Sequence, residues 1–150
     1  MNMKKPRLKE ILHDYQLRVT PGRCDVLNHF LRSSYALSAK DLENRLPQYD
    51  RVTLYRTLHT FLEKGILHLI PHDGGFAYFG LSESIRLQLD NTARASSNTH
   101  YPDHIHFTCT TCGRTECLSD YMIPQVTLPQ GYQIKDVDLL VKGICQACQV

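Results

Sequence analysis

Chemistry-bearing residues concentrate in His104 to Cys117, which reads H-I-H-F-T-C-T-T-C-G-R-T-E-C. Two alternating histidines, the pair Cys109 and Cys112 in C-x-x-C spacing, and a third cysteine, Cys117, fall within fourteen residues. A second C-x-x-C, Cys145 and Cys148, lies near the other end of the chain. Two thiolate pairs on tight turns supply the four soft ligands of a closed tetrahedral zinc site. The 32 residues between Cys112 and Cys145 exceed usual zinc-ribbon spacing, so the segment between the pairs must fold back as a structure of its own. Cys109, Cys112, Cys145 and Cys148 are therefore expected to hold a structural zinc ion rather than form disulfides.

The elements that position these residues must come from 150 residues, enough for one ordinary domain or two small ones. At 42% hydrophobic and 21% charged, the composition is that of a globular protein. No apolar run is long enough to span a bilayer, and the basic start M-N-M-K-K-P-R lacks the apolar core of a secretory signal. Six cysteines without an export signal point to a reducing, cytoplasmic setting. Charge is uneven. Residues 1–65 carry 12 Lys+Arg against 7 Asp+Glu, whereas residues 66–150 carry 5 against 8. A basic first half beside an acidic, cysteine-rich second half suits a nucleic-acid module joined to another unit.

Leu8, Ile11, Leu12 and Tyr15 recur at helical spacing, predicting an amphipathic helix over 6–16. Thr20-Pro21 reads as a cap and first turn of a second helix that ends near Arg32. Ser38 and Asp41 form a capping-box pattern ahead of a short helix that ends before Pro47. Asp50 caps the next helix, whose apolar face is Leu54, Leu58, Phe61 and Leu62 and whose stop is Gly65. Strands are expected over 66–70 and 76–79 around a 71–75 turn, giving a winged helix-turn-helix. Residues 83–103 lose periodicity and read as a hinge, with a helical turn over 84–89. Beyond it, a strand is expected over 114–119, a short helix before the prolines at 124 and 129, and a last strand over 132–141. The domains are thus 1–82, a hinge over 83–103, and 104–150.

On the Asp50 helix, Arg51, Tyr55, Arg56 and His59 fall outside the apolar stripe. A helix-turn-helix offers base edges the N-terminal part of its recognition helix. Arg56 could fork onto a guanine edge, and Tyr55 could touch a thymine methyl or a phosphate. Arg51, Arg18 and Arg23 suit phosphate contacts, which position without reading sequence.

These segments together resemble the Fur family of bacterial metal-dependent transcriptional repressors. The resemblance rests on R-V-T-P-G-R, R-V-T-L-Y-R-T-L-H-T-F-L-E-K-G-I-L, H-I-H-F-T-C-T-T-C-G and G-I-C-Q-A-C, which occur in family order over nearly the whole chain. It implies an α+β protein: an N-terminal winged-helix domain followed by a small α/β dimerisation domain stapled by the four-cysteine zinc. It also implies a homodimer on a palindromic double-stranded DNA operator, no enzymatic activity, and a regulatory metal at the hinge. Tyr55 and Arg56 match the family's recognition-helix positions. The family's iron sensors place a histidine where this chain has Ala36 and a glutamate where it has Gly80; the zinc-sensing branch places a cysteine at the latter position. Cys117 stands where a carboxylate is usual, whereas His104 and His106 are kept.

His104 and His106 alternate and should share one strand face, which Cys117 on a neighbouring strand could complete. His68 or His72 of the wing hairpin could add a fourth ligand. A nitrogen-and-thiolate set selects zinc or another borderline ion over oxygen-preferring metals, so the regulatory ion is expected to be zinc as well. An iron- or peroxide-responsive regulator of the same family is the nearest alternative. A thiol redox switch through Cys117 is the alternative of another class.

Overall fold

The computed structural model describes residues 5–70, 72, 74–89, 105–118, 121, 123–135 and 137–149. It divides into two compact units, residues 1–93 and 94–150. The described helices include none long and apolar enough to cross a membrane.

The first unit runs α1 (Lys5–Asp14), α2 (Pro21–Arg32), β1 (Leu37–Ser38), α3 (Ala39–Arg45), α4 (Arg51–Glu63), β2 (Leu67–Ile70), β3 (Tyr78–Leu81) and α5 (Glu83–Leu89). Its helix starts are fixed by side chains that satisfy exposed backbone donors. Thr20 accepts from the Arg23 N–H, with Pro21 in the first turn of α2. Ser38 and Asp41 form a reciprocal capping box at α3. Asp50 accepts the Thr53 N–H at 2.8 Å to open α4. That helix stops at Gly65, whose φ of 75° suits glycine. The Gly65 N–H reaches the Leu62 carbonyl and the Ile66 N–H reaches the Phe61 carbonyl, so the last turn closes on itself.

The apolar stripes of these helices meet in one core. Leu12, Leu27, Leu42, Leu54, Phe61, Ile66 and Ile85 are all buried there. The three-stranded sheet has order β1-β3-β2, antiparallel throughout, with His68 opposite Gly80 and Leu69 opposite Phe79. The returning wing strand begins at Tyr78, two residues later than its apolar pattern suggests, because the turn extends through Ala77. β1 is only two residues long and adds a third strand that periodicity does not reveal. The described part of the expected hinge, 83–89, is a full helix. Ile85 anchors it in the core, and the Arg7 guanidinium donates to the carbonyls of Gln88 and Leu89 at 2.9 and 3.2 Å.

The second unit is built on β4 (Ile105–Cys109), β5 (Thr115–Leu118) and β6 (Leu139–Gly143), in the order β5-β4-β6. β4 is central, antiparallel to β5 and parallel to β6. A short 3-10 turn, Gln146–Cys148, follows β6. The short helix expected before the prolines falls mostly outside the described residues; 132–135, 137 and 138 are not strand, and β6 begins only at Leu139.

Replacing Phe61 with alanine removes a ring of α4 that is wholly buried in the core of the first unit. It should cost the first unit about 3–5 kcal/mol. The urea midpoint of the helical circular-dichroism signal checks this, with a large fall expected.

Candidate metal and nucleic-acid sites

The four-cysteine cluster forms at one end of the second sheet. Cys109 is the last residue of β4, in register with Gly143 of β6, so the turn carrying Cys145 emerges beside the turn carrying Cys112. The first turn is tight: the Gly113 N–H reaches the Cys109 carbonyl at 2.9 Å, and Gly113 has φ of 72°. Thr110 ties it to β6, its N–H and hydroxyl both reaching the Gly143 carbonyl. The Cys148 N–H closes the second turn on the Cys145 carbonyl.

The four sulfurs lie within 4.8 Å of one another, and Cys112 Sγ and Cys145 Sγ are 3.9 Å apart. Four sulfurs at zinc–thiolate distance in a tetrahedron are separated by about 3.8 Å, so the cluster fits zinc without rearrangement. Among the described residues no disulfide forms. N–H groups of Cys112 and Cys145 point at Cys109 Sγ at 3.5 and 3.4 Å. These donors hold the Cys109 thiol down at about 6, favouring the thiolate that a metal requires. Cys148 is pushed up to about 12, chiefly because its thiol hydrogen-bonds to Cys145.

A second donor pair sits in the same sheet. His106 and Cys117 are directly opposed on β4 and β5, so both side chains project from one face. His106 is buried and Cys117 half-buried, and the ligand atoms of the two lie within 4.8 Å. His104, the other histidine expected here, lies outside the described residues.

Of the two wing histidines, His72 is committed to its own turn. Its Nδ1 accepts the Gly74 N–H at 2.9 Å, and its ring stacks on Tyr78 at 4.3 Å. A neutral imidazole that accepts at Nδ1 carries its proton on Nε2, so neither nitrogen is open to a metal in this arrangement. His68 lies on β2, half-buried, opposite Gly80.

On α4, Arg51, Tyr55, Arg56 and His59 are all exposed, while Leu54, Thr57, Leu58 and Phe61 face the core. The structure sorts the arginines into two groups. Arg18, Arg23 and Arg56 line one open groove of about 510 Å³. Arg51 lies instead beside Tyr55, its guanidinium 5.3 Å from the ring centroid, and its Nε is 3.3 Å from Glu43. Arg51 and Tyr55 border a second groove of about 340 Å³ with Lys40 and Phe76 of the wing turn. Sequence reasoning missed Glu43 and Phe76. Helical spacing marks an exposed glutamate or a loop aromatic as ordinary surface, and only the fold brings them to Arg51 and Tyr55.

Comparison with known proteins agrees with this architecture. The family model described as Ferric uptake regulator family matches residues 14–141. A Staphylococcus epidermidis ferric uptake regulation protein is 30% identical over 146 residues, covering 93% of either chain. Among solved structures, the Vibrio cholerae ferric uptake regulator superposes with a TM-score of 0.56 at 22% identity, over 91% of this chain and 98% of that one. A zinc uptake regulator in complex with zinc and DNA gives 0.58 at 23%, over 95% and 91%.

A winged helix-turn-helix followed by a small second unit built on a three-stranded sheet is the fold this chain shares with these ferric and zinc uptake regulators. The chain belongs to the Ferric uptake regulator family. It is a DNA-binding, metal-binding regulator and not an enzyme.

Zinc is held by thiolates and its binding releases protons, so zinc affinity should fall as pH drops from about 8 to about 6. Chelator competition across that range checks this; a pH-independent affinity would contradict a four-thiolate site.

Proposed function

We propose that the protein is a zinc-sensing repressor of transcription acting in the cytoplasm as a homodimer. Cys109, Cys112, Cys145 and Cys148 hold a permanent structural zinc. A second, regulatory zinc binds His106 and Cys117 of the second unit, with His104 as a further ligand. The observation that carries the zinc reading is the opposed His106 and Cys117 pair, a nitrogen and a sulfur donor on one face. Such a set favours zinc over metals that seek oxygen-rich sites.

Metal at the second site acts by binding the DNA-competent arrangement of the two domains, 1–82 and 104–150, better than the alternatives; residues 83–103 join them. Homodimerisation is supported by the apolar surface of the second unit. Tyr121, Val126, Leu128, Tyr132, Ile134, Val141 and Ile144 are all exposed in the single chain, more than a small soluble unit ordinarily leaves to water. A two-fold dimer then presents two α4 helices to half-sites about one DNA turn apart.

Tyr55 and Arg56 read base edges, while Arg18, Arg23 and Arg51 contact phosphates. Arg56→Ala should cost about 1–3 kcal/mol and relax one base preference, which binding to a duplex library enriched by the wild type would measure. Equal loss on enriched and random DNA would assign Arg56 to phosphate instead.

The metal reading is tested by counting zinc per protomer in the wild type and in Cys117→Ser and His106→Ala. Two ions in the wild type and one in either variant are expected. One ion in all three proteins would remove the regulatory zinc site and leave only the four-cysteine site.

A further inference from the structure

The recognition helix begins at a residue that is anchored twice to another helix. Tyr49 immediately precedes the Asp50 cap of α4. Its hydroxyl donates to Asp25 Oδ2 on α2 at 2.6 Å, the short length of a hydroxyl bonded to a carboxylate. Its ring lies over Gly22 in the first turn of α2, where an added Cβ would reach Tyr49 Cε1 at 3.4 Å. The same ring borders the groove lined by Arg18, Arg23 and Arg56. In that groove, Arg23 Nη1 donates to the Arg18 backbone carbonyl at 2.9 Å, which holds the Arg23 guanidinium near the start of α2. Arg56 is carried by α4, so its placement opposite them depends on how α4 starts.

We infer that Tyr49 is a positioning residue for DNA recognition: its hydroxyl bond to Asp25 and its seat on Gly22 register α4 against α2. Arg56 is thereby set to reach a base edge from the same groove in which Arg18 and Arg23 hold the phosphates. The inference rests on the DNA-binding reading of this surface. Hydrogen bonds to phosphates and base edges need their donors placed within about half an ångström, and a cap alone fixes where a helix starts without fixing what it faces.

The test uses zinc-loaded full-length protein and two duplexes of about 30 base pairs, one enriched by the wild type and one of random sequence, at roughly 100 mM salt. Wild type, Tyr49→Phe, Asp25→Ala and Asp25→Asn are compared. Tyr49→Phe keeps the ring over Gly22 but removes the donor, and Asp25→Ala removes the acceptor. Both should bind the enriched duplex about tenfold more weakly and the random duplex nearly as the wild type does, because a displaced Arg56 loses its base edge while Arg18 and Arg23 keep their phosphates. Asp25→Asn retains a carbonyl acceptor and should stay close to wild type in the ratio of the two affinities. A merely structural bond would lower the melting temperature and leave that ratio unchanged in the folded protein; that result in Tyr49→Phe and Asp25→Ala would overturn the inference alone. If Tyr49→Phe melts below the assay temperature, the two Asp25 variants carry the same comparison. Wild type that binds neither duplex would overturn the DNA reading of this surface, and the inference with it.

Discussion

Four sulfurs converge at one end of the second sheet because β4 and β6 run parallel and side by side, with Cys109 opposite Gly143. Each strand then turns within four residues, bringing Cys112 and Cys145 to 3.9 Å. The rest of the second unit depends on this convergence, since it has little else to fold around. Among its described residues only His106, Cys109 and Thr115 are buried, and two of those three are metal-ligand types. A unit this small rarely closes a hydrophobic core unaided. An ion held by the four cysteines would take the place of that core, as structural zinc does in small modules with apparent binding energies of about 10–16 kcal/mol. The backbone prepares for it: two N–H groups aimed at Cys109 Sγ begin to form the thiolate before any metal arrives.

The first unit is organised by the opposite logic. Its core draws on every one of its helices and on the wing, from Leu8 to Ile85, and needs no ion. That core frees the outer face of α4 for recognition. Because Leu54, Leu58 and Phe61 fix which way the helix is turned, Tyr55 and Arg56 have no choice but to face outward. The cationic surface divides in consequence. Arg56 joins Arg18 and Arg23, while Arg51 is drawn to Glu43 and the Tyr55 ring. The two units are thus stabilised by different means.

Local chemistry made much of this legible in the sequence. The caps at Thr20, Ser38 and Asp50 and the stop at Gly65 involve partners within a few residues, so residue type and spacing carry them. The four-cysteine cluster was equally plain, since C-x-x-C pairs have few other uses. What stayed hidden is non-local. The two-residue β1 exists only through its pairing with β3, and the stretch before β6 loses strand structure that its alternating apolar residues suggest. That His72 is tied to its own turn rests on one backbone N–H, from Gly74, that no pattern of side chains reports. The Tyr49–Asp25 bond joins residues 24 apart on different elements, and neither residue has a distinctive neighbourhood in the sequence. His106 and Cys117 could be placed on adjacent strands from their spacing, but the burial of His106 required the central position of β4.

The central claim is that a tetrahedral zinc bound by four thiolates holds the second unit together. Zinc-edge X-ray absorption on protein purified with zinc, using the Cys117→Ser variant so that only the cluster is loaded, tests it most directly. Four sulfur neighbours at about 2.3 Å are the expected first shell. A shell containing nitrogen or oxygen at about 2.0–2.1 Å would mean that at least one of Cys109, Cys112, Cys145 and Cys148 is not a ligand, and the account of how this unit folds would be contradicted.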